Sequence, residues 1–159
     1  MSEERLTSPG VWFPPPTVFV AGFLIGLALD RWVMRLDLDD VSRSVLVGGG
    51  WLLIAFGLVI LLWAMLTFLR AHTAILPSRP ARSVVATGPY RFSRNPMYIG
   101  MSALYIGLSL LMSMVWPLVL LPVVLLSLYA LVIRREERYL GDAFREEYAA
   151  YRARVRRWL

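Results

Sequence analysis

The sequence predicts an all-α, polytopic membrane protein with about four transmembrane helices, a tight C-terminal helical hairpin and a cytoplasmic amphipathic C-terminal helix. Hydrophobic residues make up 58% of the 159 residues, and the mean hydropathy is +0.59. This apolar share is well above that of ordinary globular proteins. The segments 17–29, 45–69 and 97–133 contain no charged residue. A hydrocarbon core about 30 Å thick needs about 20 helical residues, so 45–69 provides one span and 97–133 provides two.

We expect one domain, residues 1–159, whose first two spans lie within 17–69. The prolines at 14–16 are predicted to be extended, with the first helix running from about Thr17 to Met34 before a polar loop. The second span opens on three glycines, 48–50. A phosphate-binding loop needs a preceding strand and a Lys-Ser/Thr pair, which are missing here, so close helix packing is the better interpretation.

The remainder, residues 70–159, begins with a loop rich in proline and glycine. Asn95 is predicted to cap the third span, with Pro96 at the first helical position. A short uncharged turn near residues 113–117 then leads into the fourth span, which ends near Ile133. Because this turn is so short, the two spans form an antiparallel hairpin whose outer ends lie on one face.

The segment after Ile133 is charged but periodic. Its apolar residues recur every three or four positions, which predicts an amphipathic helix that docks on the membrane or on the loop before span three. These residues are Leu140, Phe144, Tyr148, Tyr151, Val155 and Trp158.

The charge pattern predicts an orientation. The net charge is +6, and all 17 basic residues are arginine. They lie beside apolar spans, where they act as topology signals and headgroup contacts, so we reject nucleic acid as a partner. Fourteen of them fall on the side that holds both termini and the loop 70–96, which the positive-inside rule places in the cytoplasm. We expect an integral protein of a bacterial inner membrane. The sequence predicts no particular number of subunits.

The hairpin brings two polar segments together, 94–98 at the start of span three and 134–137 at the end of span four. A helix N-terminus beside Arg94 favours a carboxylate or phosphate, while Glu136 and Glu137 favour a cation. Tyr90 and Tyr98 offer aromatic faces for a base or a sulfonium. Together these residues match the polar ends of S-adenosylmethionine. The absence of cysteine excludes disulfides, thiolate metal sites and a cysteine nucleophile, and no metal site is predicted.

Two motifs carry a family resemblance. The first is Gly88-x-Tyr90-x3-Arg94-Asn95-Pro96-x-Tyr98, and the second begins with Glu136-Glu137 and continues along the apolar stripe to Tyr151. At this separation they resemble the isoprenylcysteine carboxyl methyltransferases, and phospholipid methyltransferases share much of the pattern. The resemblance covers residues 68–159.

The resemblance implies an S-adenosylmethionine-dependent methyltransferase whose cofactor pocket is cytoplasmic and whose substrate enters from the bilayer. The cofactor contacts that it implies are Tyr90, Arg94, Asn95, Pro96 and Tyr98, with Glu137 at the amino group and His72 with the stretch Val85 to Gly88 at the adenosine end. One departure is visible, because the eukaryotic enzymes have Arg-His-Pro where this chain has Arg94-Asn95-Pro96. Asparagine keeps hydrogen bonding but removes proton transfer.

The methyl acceptor stays open at this stage. A lipophilic carboxylate is favoured because it needs only an arginine to position it, for which Arg134 or Arg135 are candidates. Arg94 is also expected among the catalytic residues. An amine or thiol must lose a proton to a base such as Glu136, Glu137 or His72. The alternatives are a non-enzymatic lipid-binding or scaffold protein and a sterol-reductase-like enzyme that uses a nicotinamide cofactor.

Overall fold

The computed structural model describes residues 14–36, 38, 41–71 and 83–158. These residues form helices and connecting turns, with no strand among the described segments. The predicted helical class is therefore confirmed. The helices are α1 (Pro15–Trp32), α2 (Arg43–Arg70), α3 (Pro96–Leu111), α4 (Val115–Leu128) and α5 (Arg134–Arg154), with a short 3-10 helix at Gly88–Arg91 and a π-helical segment at Tyr129–Ile133.

Helices α4 and α5 are continuous through the π-helical segment. The continuous helix Val115–Arg154 and α2 are long and apolar enough to cross a membrane, and α3 is a shorter apolar helix. Pro14 is extended as expected, but helix α1 begins at Pro15, two residues before the expected start near Thr17. Pro15 and Pro16 occupy the first turn, where a helix leaves its backbone N–H groups unpaired and proline is therefore tolerated.

The predicted helical hairpin is present, with residues 112–114 joining α3 to α4. Its two helices nevertheless pack mainly on other partners, α3 against α2 and α4 against α1. The outer ends of the hairpin do meet, because the Tyr98 hydroxyl donates to Glu136 Oε2 at 3.0 Å. The candidate site therefore lies at the expected end of the bundle.

Glycines set the contact between α2 and α3. A Cβ at Gly57 would lie 2.7 Å from the carbonyl oxygen of Gly100, and a Cβ at Gly107 would lie 2.8 Å from that of Gly50. Close approach was expected of all three glycines 48–50. Only Gly50 of these makes it, because a Cβ at Gly48 would have nothing within 4 Å.

Tyr105 of α3 is an unusual core residue that packs against α1 and α4. Its ring meets Phe19 and Phe23 edge-on, but its buried hydroxyl has no hydrogen-bond partner among the described residues. An unsatisfied buried hydroxyl costs stability. We expect Tyr105→Phe to raise the midpoint of thermal unfolding in detergent, whereas Tyr98→Phe, which removes the partly buried hydrogen bond to Glu136, should lower it. A lower midpoint for Tyr105→Phe would contradict this account.

Candidate active site

A cluster of three charged residues joins the loop before α3 to the start of α5. Arg157 forms a two-pronged contact with Glu137, from Nε to Oε1 at 2.9 Å and from Nη2 to Oε2 at 2.8 Å. Arg94 Nη1 lies 3.0 Å from the same Oε1. Fork-on-carboxylate pairing of this kind is among the stronger charge-assisted contacts in proteins. Glu137 therefore lies between two guanidinium groups.

Arg94 keeps donor capacity in this cluster. Its side chain is only 12% exposed, yet Nε and Nη1 are buried without a hydrogen-bond partner among the described residues. The approach of Nη1 to Glu137 is thus an ion-pair contact without hydrogen-bond geometry. Buried donors of a guanidinium are costly to leave unpaired, so this position is suited to an anionic ligand such as a carboxylate.

The chain segment after α5 closes over the loop that contains Arg94. The Arg94 backbone N–H donates to the Arg156 carbonyl at 2.9 Å, and Ser93 Oγ and Asn95 Nδ2 both donate to the Arg157 carbonyl, at 3.1 and 3.0 Å. Asn95 occupies the N-cap position of α3 as predicted, but its side chain does not cap the helix. It anchors the C-terminal segment instead.

Glu136 lies one residue before Glu137, beyond the apolar segment that ends at Ile133. Burial raises the pKa of its carboxyl to about 7, although the hydrogen bond from Tyr98 lowers it, and the neighbouring Glu137 raises it further. A carboxyl with a pKa near neutrality is suited to accept a proton. The structure therefore gives the two adjacent glutamates different environments.

The raised pKa of Glu136 makes stability depend on pH. The folded protein holds this proton up to about pH 7 and the unfolded chain releases it near pH 4.5, so unfolding free energy falls as pH rises between these values. We expect Glu136→Gln to stabilise the protein at pH 8, by about 3 kcal/mol at most, and to have little effect at pH 4. Denaturant unfolding in detergent at both pH values measures this. Equal effects at both would be contrary to the expectation.

The other residues predicted for the site separate into two groups. Val85 and Tyr90 pack in a buried cluster against Ala64 of α2, and Tyr90 is fixed there by Phe68 and by a hydrogen bond from Tyr151 to its carbonyl. Gly88 has a φ of +58°, and a Cβ there would lie 2.5 Å from Thr67 Oγ1. These residues position the loop. His72 lies outside the described residues.

The second group is the arginine pair at the start of α5. Arg134 and Arg135 are exposed, and Arg135 lines a groove between α1 and α4. The sequence pattern does not predict Arg157 as a site residue, because an arginine beside an apolar segment is typical of a topology signal. The available signal for Arg157 was its place between Val155 and Trp158 of the apolar stripe, on a segment predicted to dock on the membrane or on the loop.

The apolar stripe docks on the loop before α3, which is one of the two predicted alternatives. Tyr148, Tyr151 and Val155 are buried in a cluster that includes Val84 and Ala86 of the loop. Arg157 is also held by the face of the Tyr129 ring, 5.0 Å from the guanidinium carbon, a cation–π contact. The C-terminal helix thus carries Arg157 back to Glu137, 20 residues earlier in the chain.

The family model of phospholipid methyltransferases matches residues 45–147, well over half of the chain and including α3 and both glutamates. The chain belongs to the phospholipid methyltransferase family. The protein-S-isoprenylcysteine O-methyltransferase of Saccharomyces cerevisiae is 39% identical over 72 residues, which are 45% of this chain and 30% of that protein. The aligned segment thus spans less than a third of that relative. No solved structure matches the chain.

Membership in this family confirms the resemblance drawn from the two motifs. Family membership shows that the chain is a methyltransferase, and the family matches together with the apolar helices indicate a membrane protein. The family indicates a methyl donor of the S-adenosylmethionine type.

Proposed function

We propose that the protein transfers a methyl group from S-adenosylmethionine to a lipophilic or membrane-embedded acceptor. The observation that carries the proposal is the cluster of Arg94, Glu137 and Arg157, in which two buried nitrogens of Arg94 lack hydrogen-bond partners within the described part of the chain. The cluster lies where the two family motifs meet. An amino-acid ligand requires both signs of charge in one place, and this cluster provides them.

The residues present fit the amino-acid end of the cofactor. Arg94 would bind the cofactor's carboxylate through Nε and Nη1. Glu137 would accept a hydrogen bond from the cofactor's amino group, which would replace its contact with one nitrogen of Arg157. When bound, S-adenosylmethionine supplies an electrophilic methyl group on a sulfonium centre. Asn95, Pro96 and Tyr98 would border the same pocket at the start of α3, with Val85, Gly88 and Tyr90 supporting it.

The work left to the protein is alignment and exclusion of water. The C-terminal segment covers the loop through the Ser93, Asn95 and Arg94 hydrogen bonds, so it would close the pocket on the aqueous side. A carboxylate acceptor is already ionised and needs no base. It stays the favoured class because few bases lie at the site.

The raised pKa of Glu136 supports an amine or thiol acceptor as the second candidate. Glu136 would take the acceptor's proton when the new bond to the methyl group forms, and such catalysis is worth about 10²–10⁴ in rate. With an amine or thiol acceptor, Glu136→Gln should therefore lose at least about a hundredfold in kcat, and the wild-type rate should rise up to about pH 7. With a carboxylate acceptor, neither effect should appear.

We propose a four-span topology with the site in the cytoplasm. The spans are α1, α2, α3 and α4 with its π-helical continuation, and the loop 70–96 and α5 share the side that holds 14 of 17 arginines. Fusing a reporter that is active only in the cytoplasm after residue 38 and after residue 159 tests this. Activity at residue 159 and not at residue 38 is the expected result, and the reverse pattern would overturn it.

The methyl-transfer proposal is tested with purified protein, membrane extract and S-adenosylmethionine labelled in the methyl group. The expected result is label in a lipid-soluble product, and chemical analysis of the product distinguishes an ester from a methylated amine or thiol. Arg94→Lys is the variant for this test, because lysine keeps the positive charge but lacks the planar, two-pronged guanidinium group. Absence of labelled product together with absence of cofactor binding would favour the non-enzymatic alternative.

A further inference from the structure

The outer face of the protein carries an apolar groove between α1 and α4, with a volume of about 750 Å³. Ala21 and Ile25 line it from α1, and Leu120, Val123 and Leu131 line it from α4 and the π-helical segment. Three of these side chains, Ile25, Val123 and Leu131, are about half exposed. The groove is therefore an open apolar surface between two helices that the proposed four-span topology places in the membrane.

The two helices that form the groove are antiparallel. Gly26 approaches Pro117 and Gly22 approaches Val124, where a Cβ on either glycine would lie within 3 Å of its partner. Thr17, at the start of α1, consequently lies at the same end of the groove as the start of α5. That end is also lined by Arg135, so an arginine lies at one end of a largely apolar groove.

The length of the groove matches one leaflet of a bilayer. Leu120 and Leu131 are eleven positions apart, which corresponds to about 16 Å along a helix. Half of a hydrocarbon core is about 15 Å. Arg135 lies one helical turn beyond Leu131, at the depth where a phosphate of that leaflet would be.

We propose that this groove is a binding site for a membrane phospholipid with an anionic headgroup, whose acyl chain lies between α1 and α4 and whose phosphate contacts Arg135. A neutral zwitterionic lipid fits the apolar walls equally well but gains less from the arginine. Basic pockets between transmembrane helices bind anionic headgroups on this principle. The proposal does not depend on methyl transfer, since the charge cluster of Arg94, Glu137 and Arg157 does not line this groove.

Native mass spectrometry of the purified full chain tests the proposal. Phosphatidylglycerol and phosphatidylcholine with identical acyl chains are offered in equal amounts. The expected result is retention of phosphatidylglycerol with about fivefold preference over phosphatidylcholine. This preference corresponds to the attraction between one arginine and an anionic headgroup. Arg135→Gln should reduce the preference to near unity. Arg31→Gln, which removes an exposed arginine from the other end of α1, should leave it unchanged.

A second pair of variants tests the walls of the groove. Ala21→Phe fills the groove from an exposed position and should abolish retention of both lipids, while Ala55→Phe, at an exposed site on α2, should not. Equal retention of the two lipids by the wild type, or a preference that survives Arg135→Gln, would overturn the proposal. Lipid-free dimers that disappear with Ala21→Phe would also overturn it, because a second copy would then occupy the groove.

Discussion

Gly57→Val should prevent the protein from forming its native helix packing. A Cβ at this position would lie 2.7 Å from the Gly100 carbonyl oxygen and 3.0 Å from the Leu104 side chain. The obstacle is backbone, which cannot rotate away as a side chain can. Overpacking of a core typically costs about 1–3 kcal/mol, and close contact of small residues is a main source of association between membrane helices. We therefore expect a loss at or above the upper end of this range.

Gly48→Val is the matched control for this experiment. Gly48 lies on the same helix and a Cβ there would meet nothing within 4 Å, so both variants carry the same cost in helix propensity. Thermal unfolding in detergent and the yield of monodisperse protein compare the two. Similar losses from Gly48→Val and Gly57→Val would show that the α2–α3 contact is not the cause.

Glu137→Ala should have the second large effect, because it leaves two guanidinium groups without their shared carboxylate. Removing one partner of a buried ion pair costs about 3–5 kcal/mol, and Glu137 and Arg94 are 15% and 12% exposed. Denaturant unfolding measures the loss. The double variant Glu137→Ala with Arg94→Ala should be less unstable than the sum of the two single changes, since the two residues are coupled.

Glu147→Ala provides the comparison on the same helix. Glu147 is exposed, and exposed ion pairs contribute at most about 1 kcal/mol. We expect its unfolding free energy to stay within this amount of the wild type. If Glu137→Ala behaves like Glu147→Ala, the charge cluster contributes little to the fold and its proposed role in ligand binding loses its structural support.

Much of the architecture follows from local sequence signals. Uncharged runs locate the helices, and Asn95-Pro96 identifies the start of α3 because proline is favoured at a first helical position. The short turn after α3 then requires that Tyr98 and Glu136 approach each other, as their hydrogen bond shows. These predictions depend only on composition, helix length and loop length.

The remaining features depend on contacts between distant segments. Arg157 reaches Glu137 because α5 kinks at Arg145, which has a φ of 24°, and because the apolar stripe docks on the loop. Local periodicity predicts neither the kink nor the docking position. The pairing of α2 with α3 depends on which glycines face each other, so Gly50 and Gly57 differ from Gly48 for reasons that only the packed structure reveals. The role of Asn95 as an anchor also requires the C-terminal segment to be in place.

Calorimetric titration of the purified full chain with S-adenosylmethionine tests the central claim most directly. The account predicts micromolar binding to the wild type, weakened at least about tenfold by Arg94→Lys, because the buried fork that would hold the carboxylate is lost. Glu147→Ala should bind like the wild type. Absence of binding to the folded wild type, or binding that neither Arg94→Lys nor Glu137→Ala weakens, would contradict the assignment of the cofactor site to this cluster.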